Sequence, residues 1–272
     1  MSDLAGVVLA AGLGERLRPL TTLRPKALCP VGDVPLLDLA LDRLRPHVGC
    51  GTEAVAVNAH HFADDVVRHV GARAHVQVEQ PRPLGTAGAL GRLRPWLDGR
   101  DVLLTNADAY TPLGLAGLSE GWDGARCRLL ATPARSGERA DFTADGLGVR
   151  YVGSCLLPWA AVQRLSPEPS GLYEVLWRDL APSELELVVT RDPVVDCGRP
   201  ADYLAANLLA SGGESVVGAG AVVEGTLERS VVWPGAYVGP GEHLVEAVRA
   251  GTRTDPLTVD CSEALGPPSG GG

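Results

Sequence analysis

The chain has 272 residues, 45% of them hydrophobic and only 4% aromatic, so it can bury a sizeable core that aliphatic side chains and alanine must build. A net charge of −9 and a pI of about 5.2 argue against nucleic acid or an anionic membrane as partner. Six scattered cysteines (Cys29, Cys50, Cys127, Cys155, Cys197, Cys261) form no C-x-x-C pair, and neither a signal peptide nor a membrane-length apolar run is present; free thiols in a reducing cytoplasm are expected.

Residues 4–10 form a short apolar run of strand type. Residues 35–47 carry Leu36, Leu37, Ala40, Leu41 and Leu44 at helical spacing. Strands are then expected at 53–58, 75–79 and 101–105, and helices at 62–70 and 86–97. Strands alternating with helices of this length predict an α/β fold, a Rossmann-like doubly wound mixed sheet. Ligands of such sheets bind beyond the carboxyl ends of the strands, where Gly12, Asn58, Gln80 and Asp108 fall. The middle of the chain, 121–190, is less regular: 150–156 reads as a strand, 158–165 and 172–180 as helices, and 188–195 as a strand broken near Pro193. Residues 201–210 read as a helix.

From Ser215 the pattern changes. Val217, Val223, Val232, Val238 and Leu244 recur at six, nine, six and six residues, with glycine and small residues between them. A six-residue period with one aliphatic per unit predicts a short left-handed parallel β-helix, with two Val-rich hairpins as the alternative. The expected organisation is a catalytic domain over 1–211, a β-helix stub over 212–250 that serves homo-oligomerisation, and a disordered tail over 251–272.

The chemistry concentrates after the first strand. The run Leu9-Ala10-Ala11-Gly12-Leu13-Gly14-Glu15-Arg16 continues through Pro19 and Thr21 to Pro25-Lys26. Glycines allow a tight turn and bring backbone N–H groups close to phosphate oxygens. Arg16 and Lys26 add positive charge suited to a triphosphate and to charge building up on a departing pyrophosphate. The 24 basic residues of the chain include a single lysine, and it is Lys26. A dinucleotide fingerprint would need glycine where Leu17 stands, and the P-loop pattern is absent.

This segment resembles the signature of the sugar-1-phosphate nucleotidyltransferases, in the branch of mannose-1-phosphate guanylyltransferases and N-acetylmuramate-1-phosphate uridylyltransferases. The resemblance spans about residues 4–250, is strongest up to Thr111 and resumes at Asp196. It implies that Leu9, Ala10, Ala11, Gly12 and Gly14 bind the nucleotide and that Arg16 and Lys26 are catalytic. The stretch Gln80-Pro81-Arg82-Pro83-Leu84-Gly85-Thr86 resembles the family's loop around the base and ribose, which implies nucleotide contacts from Gln80, Pro83, Gly85 and Thr86. Asn58-Ala59-His60-His61 resembles a stretch found in guanylyltransferase-like members, and a structural role is expected of its two histidines. Asn106-Ala107-Asp108 and Asp196-Cys197-Gly198-Arg199-Pro200 resemble the two segments whose aspartates bind Mg²⁺, so Asp108 and Asp196 are the expected metal ligands.

The family's Val-Glu-Lys-Pro acceptor element cannot exist in a chain with one lysine. Asn106, Asp141, Gly153 and Ser154 are the acceptor-side candidates instead. The resemblance implies an enzyme that joins a nucleoside triphosphate, GTP by preference, to a sugar-1-phosphate or a sugar-like cyclitol phosphate and releases pyrophosphate. Uridylyl or thymidylyl transfer, cytidylyl transfer to an alcohol phosphate such as phosphocholine, and a non-catalytic regulatory homologue are the alternatives. The last would be expected to lack Arg16, Lys26 or one of the two aspartates.

Overall fold

Leu4–Leu9 (β1) is the inner strand of the sheet, and its register explains its composition. It pairs in parallel with Val55–Ala59 (β2) on one side and with Asp101–Asn106 (β4) on the other, and His75–Val78 (β3) continues the parallel set beyond β2. A strand paired on both edges and covered on both faces reads as a continuous aliphatic run, as Ala5, Val7 and Val8 do. The structure, a computed structural model, describes residues 4–112, 114–135 and 137–262.

The full order is β7-β5-β6-β4-β1-β2-β3, with Cys127–Pro133 as β5, Leu147–Leu157 as β6 and Leu185–Val189 as β7. The strand β6 runs antiparallel to both β4 and β5, and β7 runs parallel to β5. Phe142–Ala144 adds a short antiparallel partner to β6. The helices Leu36–Val48 (α1), Ala63–Val70 (α2) and Gly85–Leu97 (α3) connect the parallel strands. This is the mixed α/β sheet, dominated by parallel pairs, that the alternation predicts. Leu90, Leu93 and Leu97 lie on one face of α3, fully buried in the core with Val7, Leu104, Leu129 and Leu157. Burying each such leucine contributes about 1.5–3 kcal/mol.

The chain divides into two compact units: the residues up to Leu13 with Leu37–Val194, and Gly14–Leu36 with the chain from Val195 onward. The expected boundary near residue 211 is therefore corrected. Hydrogen bonds inside the second unit give the reason. The hydroxyl of Tyr203, on Pro200–Ala210 (α4), donates to the Pro30 carbonyl and accepts from Trp233 Nε1 at 2.9 Å. Asn207 Oδ1 accepts from the Gly32 N–H at 3.1 Å, and the Arg24 guanidinium lies 4.4 Å from the centre of the Trp233 ring. Tyr203 and Asn207 are wholly buried, so these bonds face no competition from water.

Beyond α4, short strands stack in parallel: Val216–Val217 (β8) on Val231–Val232 (β11), Val222–Val223 (β9) on Tyr237–Val238 (β12), and Thr226–Glu228 (β10) on His243–Val245 (β13). The strand Ala247–Gly251 (β14) continues the first of these ladders. Val232, Val238 and Leu244 are buried as the period predicts. Val217 is exposed, because β8 begins the ladder and has one neighbour only. The alternative of hairpins is excluded for these three ladders, which are all parallel.

The expected tail is also corrected over 251–262. Gly251 ends β14, and Pro256–Asp260 (β15) pairs antiparallel with it. Leu257 and Val259 alternate with more exposed neighbours, a strand signal of period two. The rest of the expected tail, 263–272, lies outside the described residues. In the middle, the helix expected at 158–165 is reduced to Trp159–Val162, the one at 172–180 splits into Leu172–Val175 and a 3₁₀ turn at Trp177–Asp179, and the strand expected at 188–195 divides into β7 and Val195–Asp196. All six cysteines are free thiols, five of them buried. Among the described residues no helix is long and apolar enough to cross a membrane.

The Tyr203 arrangement yields a direct test. Tyr203→Phe leaves Trp233 Nε1 buried without an acceptor and should destabilise the chain by about 1–3 kcal/mol. Urea unfolding followed by tryptophan fluorescence would measure this as a lower midpoint with an unchanged slope.

Candidate functional site

In the first unit the site begins where β1 ends. Register places Asn58 and Asn106 on either side of Leu9, at the point where the strand order reverses around β1. The Leu9 carbonyl accepts from the Ala107 N–H at 2.9 Å. The next donor, Ala10 N–H, reaches Asn58 Oδ1 at 2.7 Å. Ala10 and Ala11 are buried, and Gly12 has open space where a side chain would stand.

Asn58 continues the network. Its Nδ2 donates to Glu79 Oε1 at 2.8 Å, and the other carboxylate oxygen accepts the Leu84 N–H at 2.7 Å. His60 Nδ1 donates to the Glu79 carbonyl at 2.8 Å. The structural role expected of the two histidines is thus visible for His60. Glu79 escaped the sequence reading, and its only signal was a carboxylate just past an alternating strand.

The loop before α3 separates its candidates. Gln80 is exposed and Pro83 half-buried. Gly85 has φ +70°, and a Cβ there would come within 2.5 Å of the Ser170 carbonyl oxygen. Thr86 Oγ1 accepts from the Leu172 N–H at 2.8 Å. The side-chain position of Gly85 is therefore closed by the 170–172 segment, so any contact Gly85 makes to a ligand comes from backbone, while the Thr86 hydroxyl is tied to Leu172 as an acceptor.

On the other side of β1, Asn106 ends β4 and Asp108 follows it, half-buried. The Asn106 amide packs against Gly153, whose missing side chain leaves room for it, and Asn106 Oδ1 is buried with no hydrogen-bond partner among the described residues. Ser154 Oγ lies 2.9 Å from Thr105 Oγ1, which receives Arg43 Nη2 at 3.3 Å; that guanidinium also donates to the Asn106 carbonyl at 3.2 Å. Ser154 belongs to this buried frame, and Arg43, an arginine on the apolar side of α1, was missed. Asp141 accepts the Tyr151 N–H at 3.1 Å and so ties down the edge of β6. The Tyr151 hydroxyl is pushed well above its ordinary range, by burial first, then by Cys155 and, least, by the Asp108 carboxylate.

The second unit brings three charged candidates together. Lys26 Nζ lies 3.3 Å from Asp196 Oδ1, and Arg16 Nη2 lies 3.5 Å from Asp196 Oδ2. Lys26 is buried, whereas the Arg16 and Asp196 side chains are 64% and 56% exposed. The lysine is therefore held by the fold, and the other two can still meet a ligand. Gly198, also unremarked in the sequence, leaves the space that the Arg16 guanidinium occupies.

Upstream, Gly14 sits at φ +65° and its carbonyl accepts from Thr21 Oγ1 at 2.8 Å. Within this loop Cys29 is buried, and burial pushes its thiol up to about 12.

Among the described residues no group of three or more His, Cys, Asp or Glu could cage a metal. A half-exposed carboxylate such as Asp196 has the hard oxygen chemistry that Mg²⁺ takes, and Mg²⁺ is commonly held by one or two carboxylates completed by substrate phosphates. The donor set fits a cation that arrives with its substrate.

Residues 5–119 match the Nucleotidyl transferase family. The chain is 33% identical over 205 residues to an N-acetylmuramate alpha-1-phosphate uridylyltransferase of Caulobacter vibrioides, a match that covers 64% of this chain and 83% of that protein. It is 33% identical over 120 residues to a mannose-1-phosphate guanylyltransferase of Mycobacterium tuberculosis, covering 41% of this chain and 32% of that one. A Thermus thermophilus structure, described as a mannose-1-phosphate geranyltransferase, superposes with a TM-score of 0.71 over 96% of both chains at 20% identity, which shows a shared fold. The chain belongs to the sugar-1-phosphate nucleotidyltransferase family and is an enzyme of that kind.

Two glycines of the loop should respond differently to the same change. A Cβ at Gly14 would lie 2.7 Å from Thr21 Cγ2 in a left-handed backbone, whereas one at Gly12 would meet nothing within 4 Å. Gly14→Ala should cost about 1–3 kcal/mol of stability and Gly12→Ala less than about 0.5 kcal/mol. Paired thermal melts would show the difference.

Proposed function

We propose that the chain transfers a uridylyl group from UTP to a sugar-1-phosphate, giving a UDP-sugar and pyrophosphate. The observation that carries the nucleotide reading is the corner made by Arg16, Lys26 and Asp196, two cations on one carboxylate at the end of a glycine loop. The choice of UTP is supported by the Caulobacter uridylyltransferase, to which the chain is 33% identical over most of that protein's length. The lack of a second lysine, and with it of a Val-Glu-Lys-Pro element, fits the same reading. The preference for GTP drew on the Asn58-Ala59-His60-His61 stretch, but the Asn58 and His60 side chains are engaged in holding Glu79, so any effect they have on the base is indirect. GTP remains the second reading. It is supported by the C-terminal coils, which we take to be a left-handed β-helix, and by a probable mannose-1-phosphate guanylyltransferase of rice that is 25% identical across 94% of this chain.

In the proposed reaction an oxygen of the acceptor phosphate attacks the α-phosphorus of the nucleotide in line. The new P–O bond forms as the bond to the bridging oxygen of the β-phosphate breaks. The acceptor oxygen is already anionic, so no general base is needed. Backbone N–H groups of residues 11–14 bind phosphate oxygens. Arg16 and Lys26 bind the triphosphate and stabilise the charge that builds up on pyrophosphate. Asp108 and Asp196 would hold Mg²⁺, which when bound neutralises phosphate charge. On the acceptor side Asn106 offers its buried Oδ1 to a sugar hydroxyl. We also propose self-association through the first coil, where Val217 and Val222 are exposed.

A pyrophosphate-release panel with Mg²⁺, each nucleoside triphosphate and a set of sugar-1-phosphates tests the reading. UTP should outpace GTP, and the reverse order would overturn the donor assignment. Lys26→Ala should lose about 10²–10³ in kcat while melting near the wild-type temperature. A variant that keeps near-normal release would reject the role of this corner.

A further inference from the structure

Four residues of the first unit form an unbroken chain of hydrogen bonds between two loops. Ala10 N–H donates to Asn58 Oδ1 at 2.7 Å, Asn58 Nδ2 donates to Glu79 Oε1 at 2.8 Å, and Leu84 N–H donates to Glu79 Oε2 at 2.7 Å. Asn58 and Glu79 are 3% and 2% exposed, so water cannot replace a lost bond. Glu79 is further fixed at its backbone, where its N–H reaches the Ala59 carbonyl and its carbonyl receives His60. The two ends of this chain matter most. Ala10 opens the glycine loop, and Leu84 precedes the first turn of α3.

We propose that Asn58 and Glu79 are a positioning pair that fixes the triphosphate loop relative to the loop before α3, and thereby couples phosphate placement to base discrimination. The inference rests on the nucleotide-binding reading of these two loops. The chemistry of the pair is directional. Asn58 must accept from one partner and donate to the next, which a side-chain amide does and a carboxylate does not. Glu79 must accept at both of its terminal atoms, which a carboxylate does and an amide, with one oxygen and one NH₂, does not. Each residue type is thus dictated by the donors around it. Neither side chain needs to touch the nucleotide, because both act through the backbone groups they hold.

The directionality supplies its own control. In Asn58→Asp two carboxylates face each other and the donor to Glu79 is gone. In Glu79→Gln one carboxylate acceptor becomes a donor, so either Asn58 Nδ2 or Leu84 N–H loses its partner. In the double variant N58D/E79Q all three bonds return. The new carboxylate at position 58 accepts from Ala10 N–H and from the new amide at position 79, and the oxygen of that amide accepts from Leu84 N–H. The total charge is also kept.

The experiment measures melting temperature, KM for the nucleoside triphosphate, kcat, and the ratio of kcat/KM for UTP over GTP in wild type, both single variants and the double variant. Each single variant should raise KM about tenfold or more and move the UTP/GTP ratio toward unity, because a small misplacement of a binding loop has effects of that size. The double variant should return both quantities to within about threefold of wild type. Single variants that melt, bind and discriminate like wild type overturn the proposal. So does a double variant no better than the sum of its parts. If both single variants fail to fold, the double variant must fold and regain wild-type KM, and its failure to do so is equally decisive against the pair. A wild-type chain that releases no pyrophosphate from any nucleoside triphosphate rejects the nucleotide reading itself, and the coupling falls with it; loss of the coupling alone shows as an active wild type with unaltered single variants.

Discussion

The first unit depends on a single constraint: β1 is paired in parallel on both edges, so the chain can leave the sheet only at its end. An interior strand has no free edge to share. Its departing backbone must find partners immediately or leave polar groups buried and unpaired. Leu9 and Ala10 solve this in opposite directions, the carbonyl toward Ala107 after β4 and the N–H toward Asn58 at the end of β2. The reversal of strand order around β1 makes those two partners available, and such a reversal is where open α/β sheets form a crevice for ligands. Architecture and site therefore share one cause.

The polar candidates of the two units divide into two kinds. Asn58, Glu79, Thr86, Thr105 and Ser154 spend their hydrogen bonds on the protein. Arg16 and Asp196 keep much of their surface exposed, and the loop at Gly12 leaves open space. In a chain of net charge −9, the corner of two cations and one anion is a local region of positive sign. Such a region draws a polyanion by field as well as by contact. Asp196 also offsets the desolvation of the Lys26 ammonium, which makes a buried lysine tolerable at this point.

Much of this was legible in the sequence because the signals were local. The periodicity of 36–48 and 85–97 and the aliphatic runs of β1 and β4 translate directly into elements. Arg16 and Lys26 were singled out from the glycine-loop motif and Asp196 from the family resemblance, and the second unit brings these three together. What was missed depends on contacts distant in sequence. The strand β5 was overlooked because Arg128 interrupts its apolar run, yet that arginine is buried against Glu186 on the neighbouring strand at 3.0 Å. Glu79 and Arg43 are ordinary residues in a linear reading and become significant only when Asn58 and Asn106 arrive beside them. The division of the chain was misplaced for the same reason, since no pattern in residues 30–33 announces Tyr203 and Asn207 as their partners.

One consequence of the composition concerns labelling chemistry. Lys26 is the sole lysine of the chain, and it is buried beside Asp196. An amine-directed reagent thus has one side-chain target in the whole molecule, and that target sits in the loop assigned to the triphosphate. Acylation at this position, resolved from any α-amine by peptide mapping, would report occupancy of that loop with no competing side chain, an intrinsic and site-specific probe that a lysine-rich relative could not offer.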